Sequence, residues 1–395
     1  MTTKVPVAVD QQNGSFTDVF ERAIDEGVGV EHEAEQDGES IEVEPFDPTL
    51  IRFEHKQVTA DLMLRRIREG EIDLQPEFQR MAGIWDEVRM SRLIESMMLR
   101  IPLPAFYIDA SDEEKWIVID GLQRLTTISR FMDLKDLALR RLEFWQEFNG
   151  ATFDDLPRKL QRRLEETQLM LYLVQQGTPH KVKFNIFRRI NTGGMPLSGQ
   201  EIRHALNQGA STELLKELAQ SNEFQEAVDG SVSPKRMTDR ECVLRYLAFK
   251  LRNPELYSPS DDLDSFLNDR MQQINKLGES DPDAVDKLRH DFKRAMIAAR
   301  CTFGHQAFRK YFPQESRRMP VSKALFEVWS VNLDRLDDKQ VELLVSRKGT
   351  LLREFARLME DNEFMNAISY STGDSRRVHY RFKAARELIQ EALGA

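Results

Sequence analysis

A short apolar segment that ends in a glycine turn constrains the fold of this chain most. Trp116–Ile119 are four consecutive apolar residues and predict a buried strand. Asp120 and Gly121 follow at once and form a turn signal. The apolar residues after the turn recur at helical spacing: Leu122, Leu125, Ile128 and Phe131. The sequence therefore predicts a strand that turns at a glycine into a helix.

The start of this helix is a candidate anion site. The N–H groups of a first helical turn have no partner within the helix, and the helix dipole is positive there. A carboxylate, an amide and a guanidinium lie at this turn, in Asp120, Gln123 and Arg124. An ordinary strand–helix turn whose polar residues cap the helix explains the same pattern, and geometry alone favours that alternative.

A second candidate is a segment between two predicted helices. It consists of Asn191, Thr192, Gly193 and Gly194. The glycines permit positive φ and leave backbone N–H groups accessible to an anion. Ser198 and Glu201 form a capping box that begins the next helix, which also carries Arg203. A helix–turn–helix corner explains these glycines equally well.

The bulk composition excludes several classes of protein. The chain has 395 residues, which allows two or three domains at about 150 residues each. It contains no run near the roughly 18 apolar residues of a membrane span, and no N-terminal segment typical of a signal peptide. We therefore expect a cytoplasmic protein with no membrane partner. The net charge of −10 argues against nonspecific coating of nucleic acid but leaves local basic faces open.

The residue types that bind common cofactors lack their usual spacing. The two cysteines, Cys242 and Cys301, argue against a disulfide framework and a thiolate zinc site. None of the seven histidines pairs with another His or Cys at metal-ligand spacing. Neither the P-loop pattern nor the dinucleotide-binding glycine pattern occurs. We expect no haem, flavin, zinc or disulfide.

Three regions differ in their patterning. Residues 1–49 are acidic and poor in large apolar residues, so we expect a mostly disordered arm, either a solubilising tail or a cover for a basic groove. Residues 50–208 mix helix and strand signals, with strands expected at 105–109, 116–119 and 169–174. Residues 209–395 have apolar residues at helical spacing throughout. The predicted fold class is α+β, a small mixed αβ domain followed by an all-helical domain.

Two local predictions concern helix boundaries. Val58, Leu62, Leu64 and Ile67 predict a single amphipathic helix that ends at a glycine. The apolar spacing over 338–361 predicts one long helix in the C-terminal half.

Five motifs occur in order along the first half of the chain: Leu74–Arg80, Ile94–Ser96, Ile101–Pro104, Asp120–Thr127 and Phe187–Arg203. Together they resemble the N-terminal domain family of the GmrSD-type restriction endonucleases, whose fold is ParB/sulfiredoxin-like. The resemblance covers residues 50–210.

This resemblance implies a component of bacterial defence against phage or foreign DNA. It also implies binding and hydrolysis of a nucleoside triphosphate at an Asp-Gly-x-Gln-Arg motif, which Asp120, Gly121, Gln123 and Arg124 match. The family usually has Gln where this chain has Leu122, and we expect Leu122 to face the core. Many relatives carry a C-terminal His-Asn-His nuclease domain that this sequence lacks, so a separate nuclease subunit could supply DNA cleavage.

The matching residues also suit phosphoryl transfer with Mg²⁺ as the cofactor. Arg124 and Arg80 can bind phosphate oxygens in a bidentate way, and Asp120 can hold Mg²⁺ or orient water. Gln123 or Gln79 could position the attacking water. The predicted nucleotide-binding set also includes Gly121, Thr126, Asn191, Thr192, Gly193, Gly194 and Arg203.

Two other functions stay open at this point. The arginines could hold the backbone phosphates of DNA in a binding module or a metal-dependent nuclease that turns over no nucleotide. The motifs could also serve a purely structural adaptor. DNA and a nuclease subunit are the expected macromolecular partners, and an oligomer is compatible with the sequence.

Overall fold

The computed structural model describes residues 29–31, 52–72, 74, 85–190, 197–315 and 317–394. These residues form two compact units. The first comprises the described residues of 52–209 together with 235–237, and the second comprises 29–31, 210–234 and the described residues of 238–394. Apart from 29–31, the predicted acidic arm lies outside the described residues. The domain limits of 50–208 and 209–395 stay predictions.

The first unit is built on a four-stranded sheet. Its strands are β1 (Phe53–Thr59), β2 (Phe106–Asp109), β3 (Ile117–Asp120) and β4 (Gln168–Val174). Their order is β1-β4-β2-β3, with β4 and β2 parallel and the other two pairs antiparallel. The predicted β2–β3 hairpin and the strand near 169–174 are confirmed.

The first strand corrects the predicted helix at Val58. Val58 lies in β1, and the helix α1 (Ala60–Arg68) begins only after Thr59. The Thr59 hydroxyl accepts the N–H of Leu62 at 3.2 Å, so this residue is a helix cap. Residues 53–57 are all exposed on this edge strand, so no alternation of apolar and polar residues revealed it.

Helices of the first unit cover both faces of the sheet. One face packs against α1 and three further helices in a single hydrophobic cluster: α2 (Glu87–Met98), α3 (Leu122–Met132) and α4 (Arg158–Glu165). The other face contributes Ile119 and Val174 to a second cluster, with residues of α5 (His180–Ile190) and α6 (Gly199–Leu206). The α+β class is therefore confirmed.

The second unit is helical in its described part. The helices are α7 (Ala210–Gln220), α8 (Asn222–Ala227), α9 (Thr238–Leu251), α10 (Leu263–Ser280), α11 (Pro282–Phe303), α12 (Lys323–Asp334), α13 (Asp338–Ser346), α14 (Lys348–Met359), α15 (Asn362–Ser369) and α16 (Ser375–Gly394). Isolated bridges link Val30 and Arg309 to Val321. No described helix is both long enough and apolar enough to cross a membrane.

The structure divides the predicted long helix at 338–361 into α13 and α14. The backbone at Arg347, with φ −105° and ψ 15°, leaves the helical conformation. The Arg347 guanidinium donates to the carbonyl oxygens of Ala392 and Leu393 at 3.1 and 2.7 Å, near the end of α16. A tertiary contact therefore accompanies the break, and helical spacing alone could not reveal it.

A buried ion pair joins α5 to the sheet. The Nζ atom of Lys183 lies 2.9 and 3.1 Å from the two carboxylate oxygens of Asp109, and both side chains are almost fully buried. Lys183 also donates to the hydroxyl of Ser111, whose backbone N–H in turn donates to Asp109. All three donors of the ammonium group therefore have acceptors, as burial of a charge requires.

Replacing Asp109 by Ala should destabilise the first unit by about 3 kcal/mol, because it leaves the Lys183 charge buried without its counter-ion. The matched control is Asp154→Ala, which removes the exposed ion pair with Lys135 and should change the free energy of unfolding by less than about 1 kcal/mol. Urea denaturation followed by tryptophan fluorescence measures the difference. Equal effects of the two substitutions would contradict the prediction.

Candidate functional site

The Asp120 carboxylate lies at the end of β3, beside a β-bulge. Tyr107 pairs with Asp120 and Ile108 with Val118, so Ile119 is an extra residue in β3. Ile119 is buried in the cluster with α5 and α6, whereas 37% of the Asp120 side chain is exposed. The bulge thus lets the strand bury one residue and present the next at its open end.

Gly121 is required by both its backbone and its surroundings. Its φ of 101° lies in the left-handed region, and a Cβ atom there would lie 2.3 Å from Cδ1 of Phe106. Gly121 is also the N-cap of α3, and without a side chain it caps none of the first-turn N–H groups. The first turn of α3 therefore has no side-chain cap from this residue, and the anion site expected at the turn stays a prediction.

Arg124 links this turn to the start of β2. Its Nη2 atom donates to Oδ2 of Asp120 at 2.8 Å and to the Ala105 carbonyl at 3.1 Å, and Nη1 donates to the Pro104 carbonyl. The guanidinium also lies 4.4 Å from the centroid of the Phe106 ring. Burial lowers the pKa of Arg124, and the Asp120 carboxylate opposes part of that shift.

These contacts show Arg124 as a positioning residue. The side chain is 10% exposed, and its two terminal nitrogens are directed at protein acceptors. Its predicted contact with phosphate oxygens stays a prediction. What the geometry shows is that Arg124 holds one oxygen of Asp120 and leaves the carboxylate partly accessible to solvent.

Gln123 anchors the chain that precedes α2. Its Oε1 atom accepts the N–H of Trp85 at 3.2 Å. Trp85 is the first described residue after 75–84, the segment that contains Gln79 and Arg80, so these two predicted site residues lie outside the described residues. Leu122 is 3% exposed within the hydrophobic cluster, which confirms its expected orientation towards the core.

The remaining predicted site residues do not all gather at this turn. Thr126 is half-buried on α3. Arg203 is 2% exposed on α6, where its Nε atom donates to Oε1 of Gln200 at 2.9 Å. The predicted capping box of Ser198 and Glu201 is confirmed. The glycine segment of Asn191, Thr192, Gly193 and Gly194 lies outside the described residues.

A buried glutamate on α2 supports the same unit. Both Glu95 oxygens accept backbone N–H groups, from Glu143 at 3.0 Å, Phe144 at 2.8 Å and Trp145 at 3.0 Å. Burial raises the pKa of Glu95, but these hydrogen bonds outweigh it, so the pKa is lowered overall. Glu95 therefore fixes a loop that has little regular structure of its own.

Sequence reasoning noted two of these motifs without finding their roles. The motif Ile94–Ser96 supplies the Glu95 carboxylate that holds the 143–145 loop. The motif Ile101–Pro104 ends in the Pro104 carbonyl, which accepts a hydrogen bond from Arg124. Phe106 was missed as the ring that excludes a side chain at residue 121. A glycine next to a buried strand was the available signal, but it does not identify the neighbour.

The donor set at the turn suits a magnesium ion that is shared with a ligand. Within the described ranges, no group of three or more His, Cys, Asp or Glu side chains could form a complete metal site. Mg²⁺ commonly takes one or two carboxylates, with phosphate oxygens and water as the other ligands. The partly exposed Asp120 carboxylate fits that arrangement because Arg124 occupies only some of its acceptor positions.

Comparison with known families identifies the segment that carries this site. Residues 60–207 match the model of the GmrSD restriction endonuclease N-terminal domain. This segment belongs to the GmrSD N-terminal domain family. No curated protein matches the chain. Family membership indicates a component of a restriction-type phage defence system.

The match spans α1 through α6 of the GmrSD N-terminal domain. It therefore includes the Asp120–Arg124 turn, the Glu95 carboxylate and the buried Lys183–Asp109 pair. The exposed edge strand β1 precedes it, and the helices of the second unit follow it.

Gly121→Ala should destabilise the GmrSD N-terminal domain by roughly 3 kcal/mol, because strain at positive φ adds to the clash with Phe106. Gly150 is a matched control, since it also has positive φ (91°) but has no atom within 4 Å of an added Cβ. Gly150→Ala should lower the free energy of unfolding by only about 1 kcal/mol. Urea titration of both variants tests this, and similar losses would exclude the clash as the cause.

The stabilisation by Glu95 should depend on pH. Its pKa is depressed in the folded state, so the contribution is complete above the pKa of the unfolded chain and is lost as pH falls through the folded value. Glu95→Gln should cost about 2 kcal/mol at pH 7, because an amide cannot accept all three N–H groups. The difference in the free energy of unfolding between the variant and the wild type should become smaller below about pH 4. A difference in the free energy of unfolding that does not change with pH would contradict this prediction.

Proposed function

We propose that the Asp120–Arg124 turn binds a nucleoside triphosphate with Mg²⁺ and hydrolyses it. The observation that carries this proposal is the partly exposed Asp120 carboxylate beside the first turn of α3, which has no side-chain cap; one oxygen of the carboxylate is held by Arg124. Membership in a restriction endonuclease domain family supports it, because defence systems must couple recognition to a chemical step.

Phosphate binding would use the backbone of α3. The first-turn N–H groups of Leu122, Gln123 and Arg124 lack intrahelical acceptors and lie at the positive end of the helix dipole. Such helix starts bind phosphate groups without any dedicated side chain.

Asp120 would bind the metal ion that accompanies the phosphates. A bound Mg²⁺ would neutralise charge on the phosphate oxygens during transfer. Arg124 would orient the carboxylate through the 2.8 Å bond. Arg124 is thus proposed to act through Asp120.

Hydrolysis requires that a water attack the γ-phosphorus while the bond to the bridging oxygen breaks, which releases nucleoside diphosphate and inorganic phosphate. Asp120 and Gln123 are the described polar side chains at the turn that could orient this water. Because the Gln123 Oε1 atom already accepts the Trp85 N–H, we assign the primary role to Asp120. Phosphoryl transfer depends mainly on positioning and charge neutralisation, so this small set can suffice.

We further propose that nucleotide turnover regulates DNA restriction in the cytoplasm, together with a separate nuclease subunit. The described residues contain no cluster of three metal-binding side chains. Sequence-independent DNA binding would show itself as an affinity that falls steeply with salt.

Asp120→Ala should reduce Mg²⁺-dependent phosphate release about 100-fold or more, because it removes the proposed metal ligand. Arg124→Lys should reduce phosphate release about tenfold. A lysine has a single terminal nitrogen and cannot reproduce the contacts of both Arg124 nitrogens with Asp120 and the two backbone carbonyls. Release from ATP, GTP, CTP and UTP, with and without DNA, is the measurement. Circular dichroism establishes that each variant remains folded.

The matched control for Asp120 is Asp136, another partly exposed aspartate that pairs with an arginine of α3. Asp136→Ala should leave phosphate release unchanged. Turnover that survives Asp120→Ala would contradict the proposed site. Absence of turnover in the wild type, combined with salt-dependent DNA binding that needs Arg124, would favour a DNA-binding module instead.

A further inference from the structure

One row of side chains crosses all four strands and ends at Asp120. In the sheet register His55 of β1 pairs with Tyr172 of β4, Tyr172 pairs with Tyr107 of β2, and Tyr107 pairs with Asp120 of β3. Directly paired residues project from the same face of a sheet, so His55, Tyr172 and Tyr107 share one face. The β-bulge at Ile119 interrupts the alternation in β3, so the pairing with Tyr107 places Asp120 next to this row and does not fix its face.

The two tyrosines form a stacked pair at the border of a hydrophobic cluster. Their ring centroids are 5.2 Å apart and the ring planes differ by 16°. Tyr107 packs against the cluster formed with α5 and α6, whereas Tyr172 is 36% exposed. Tyr107 covers one face of the Tyr172 ring, so the exposed part of that ring lies on the side of His55.

This part of the sheet face is more open than the part next to it. Val174, two residues along β4, is fully buried, and Asp109 on β2 pairs with Lys183 of α5. His55 on the edge strand, which pairs with Tyr172, is exposed. Helix α5 thus covers one end of the face and leaves the Tyr172 end accessible.

The spacing along the row suits a ligand with a planar ring and phosphates. Neighbouring strands lie about 4.8 Å apart, so the backbones at Tyr172 and Asp120 are about 10 Å apart across two strand intervals, and a base stacked on the His55 side of Tyr172 is roughly one interval farther away. This is the scale on which the base and the terminal phosphates of a nucleoside triphosphate are separated. Exposed aromatic rings bind bases by stacking without selecting strongly among them.

We propose that Tyr172 and His55 form the base-binding part of the nucleotide site. The base stacks on the exposed surface of the Tyr172 ring, His55 contacts the polar edge of the base, and the phosphates extend along the row to Asp120 and α3. This inference rests on the proposed nucleotide binding and adds the residues that recognise the base.

The test compares a full nucleotide with its phosphate portion alone. Binding of ATP and of inorganic tripolyphosphate, both with Mg²⁺, is measured by calorimetry for wild type, Tyr172→Ala and Tyr172→Phe. Tyr172→Ala should weaken ATP binding about tenfold and leave tripolyphosphate binding unchanged, because stacking on an aromatic side chain is lost. Tyr172→Phe retains the ring and should bind ATP like wild type. Tyr370→Ala, at a tyrosine that is 41% exposed in the second unit, is the control.

The outcomes separate this inference from the function on which it rests. If wild type binds ATP and Tyr172→Ala binds it equally well, the base site is wrong and nucleotide binding stands. If wild type binds tripolyphosphate as tightly as ATP, the base again makes no contact and the inference is overturned. If wild type binds neither ligand, the proposed function fails and the base site fails with it.

Discussion

The buried guanidinium of Arg124 is the interaction on which the candidate site depends. A charged group in a core must find acceptors for its N–H donors, and Arg124 finds them on two neighbouring strands. It donates to the carbonyls of Pro104 and Ala105 before β2, and to the carboxylate of Asp120 at the end of β3. One side chain of α3 therefore sets the relative position of two strand ends and the first turn of its own helix.

Other features follow from this arrangement. Phe106 lies under the guanidinium, which leaves no room for a Cβ atom at residue 121, so the turn requires glycine. Glycine in turn leaves the start of α3 without a side-chain cap. The contacts that stabilise the turn thus leave its first N–H groups without a side-chain cap and the Asp120 carboxylate partly exposed. Gln123 and Glu95 add support by holding backbone N–H groups of flanking segments.

The sequence predicted those features that depend on residues close together along the chain, and missed those that depend on distant residues. The β3–Gly121–α3 turn was predictable because local spacing and a glycine specify it. The partners of Arg124 were not, because the carbonyls of Pro104 and Ala105 are separated from it by about twenty residues and carry no side-chain signal. The edge strand β1 was missed because its exposed residues do not alternate, and Val58 was assigned to a helix instead.

The same limit explains the rest of the candidate site. The row from His55 to Asp120 depends on strand order and register, which no local pattern specifies. The break between α13 and α14 coincides with a contact of Arg347 to a distant helix end. By contrast, the orientation of Leu122 and the capping box at Ser198 were predictable, because helical spacing and capping are local rules.

Amide hydrogen exchange at the first turn of α3 tests the central claim most directly. The N–H groups of Leu122, Gln123 and Arg124 lack intrahelical acceptors, so a phosphate bound there would become their acceptor. The account predicts that a nucleoside triphosphate with Mg²⁺ slows exchange at these amides in the wild type and not in Asp120→Ala. Protection that arises elsewhere while these amides exchange as before would contradict it.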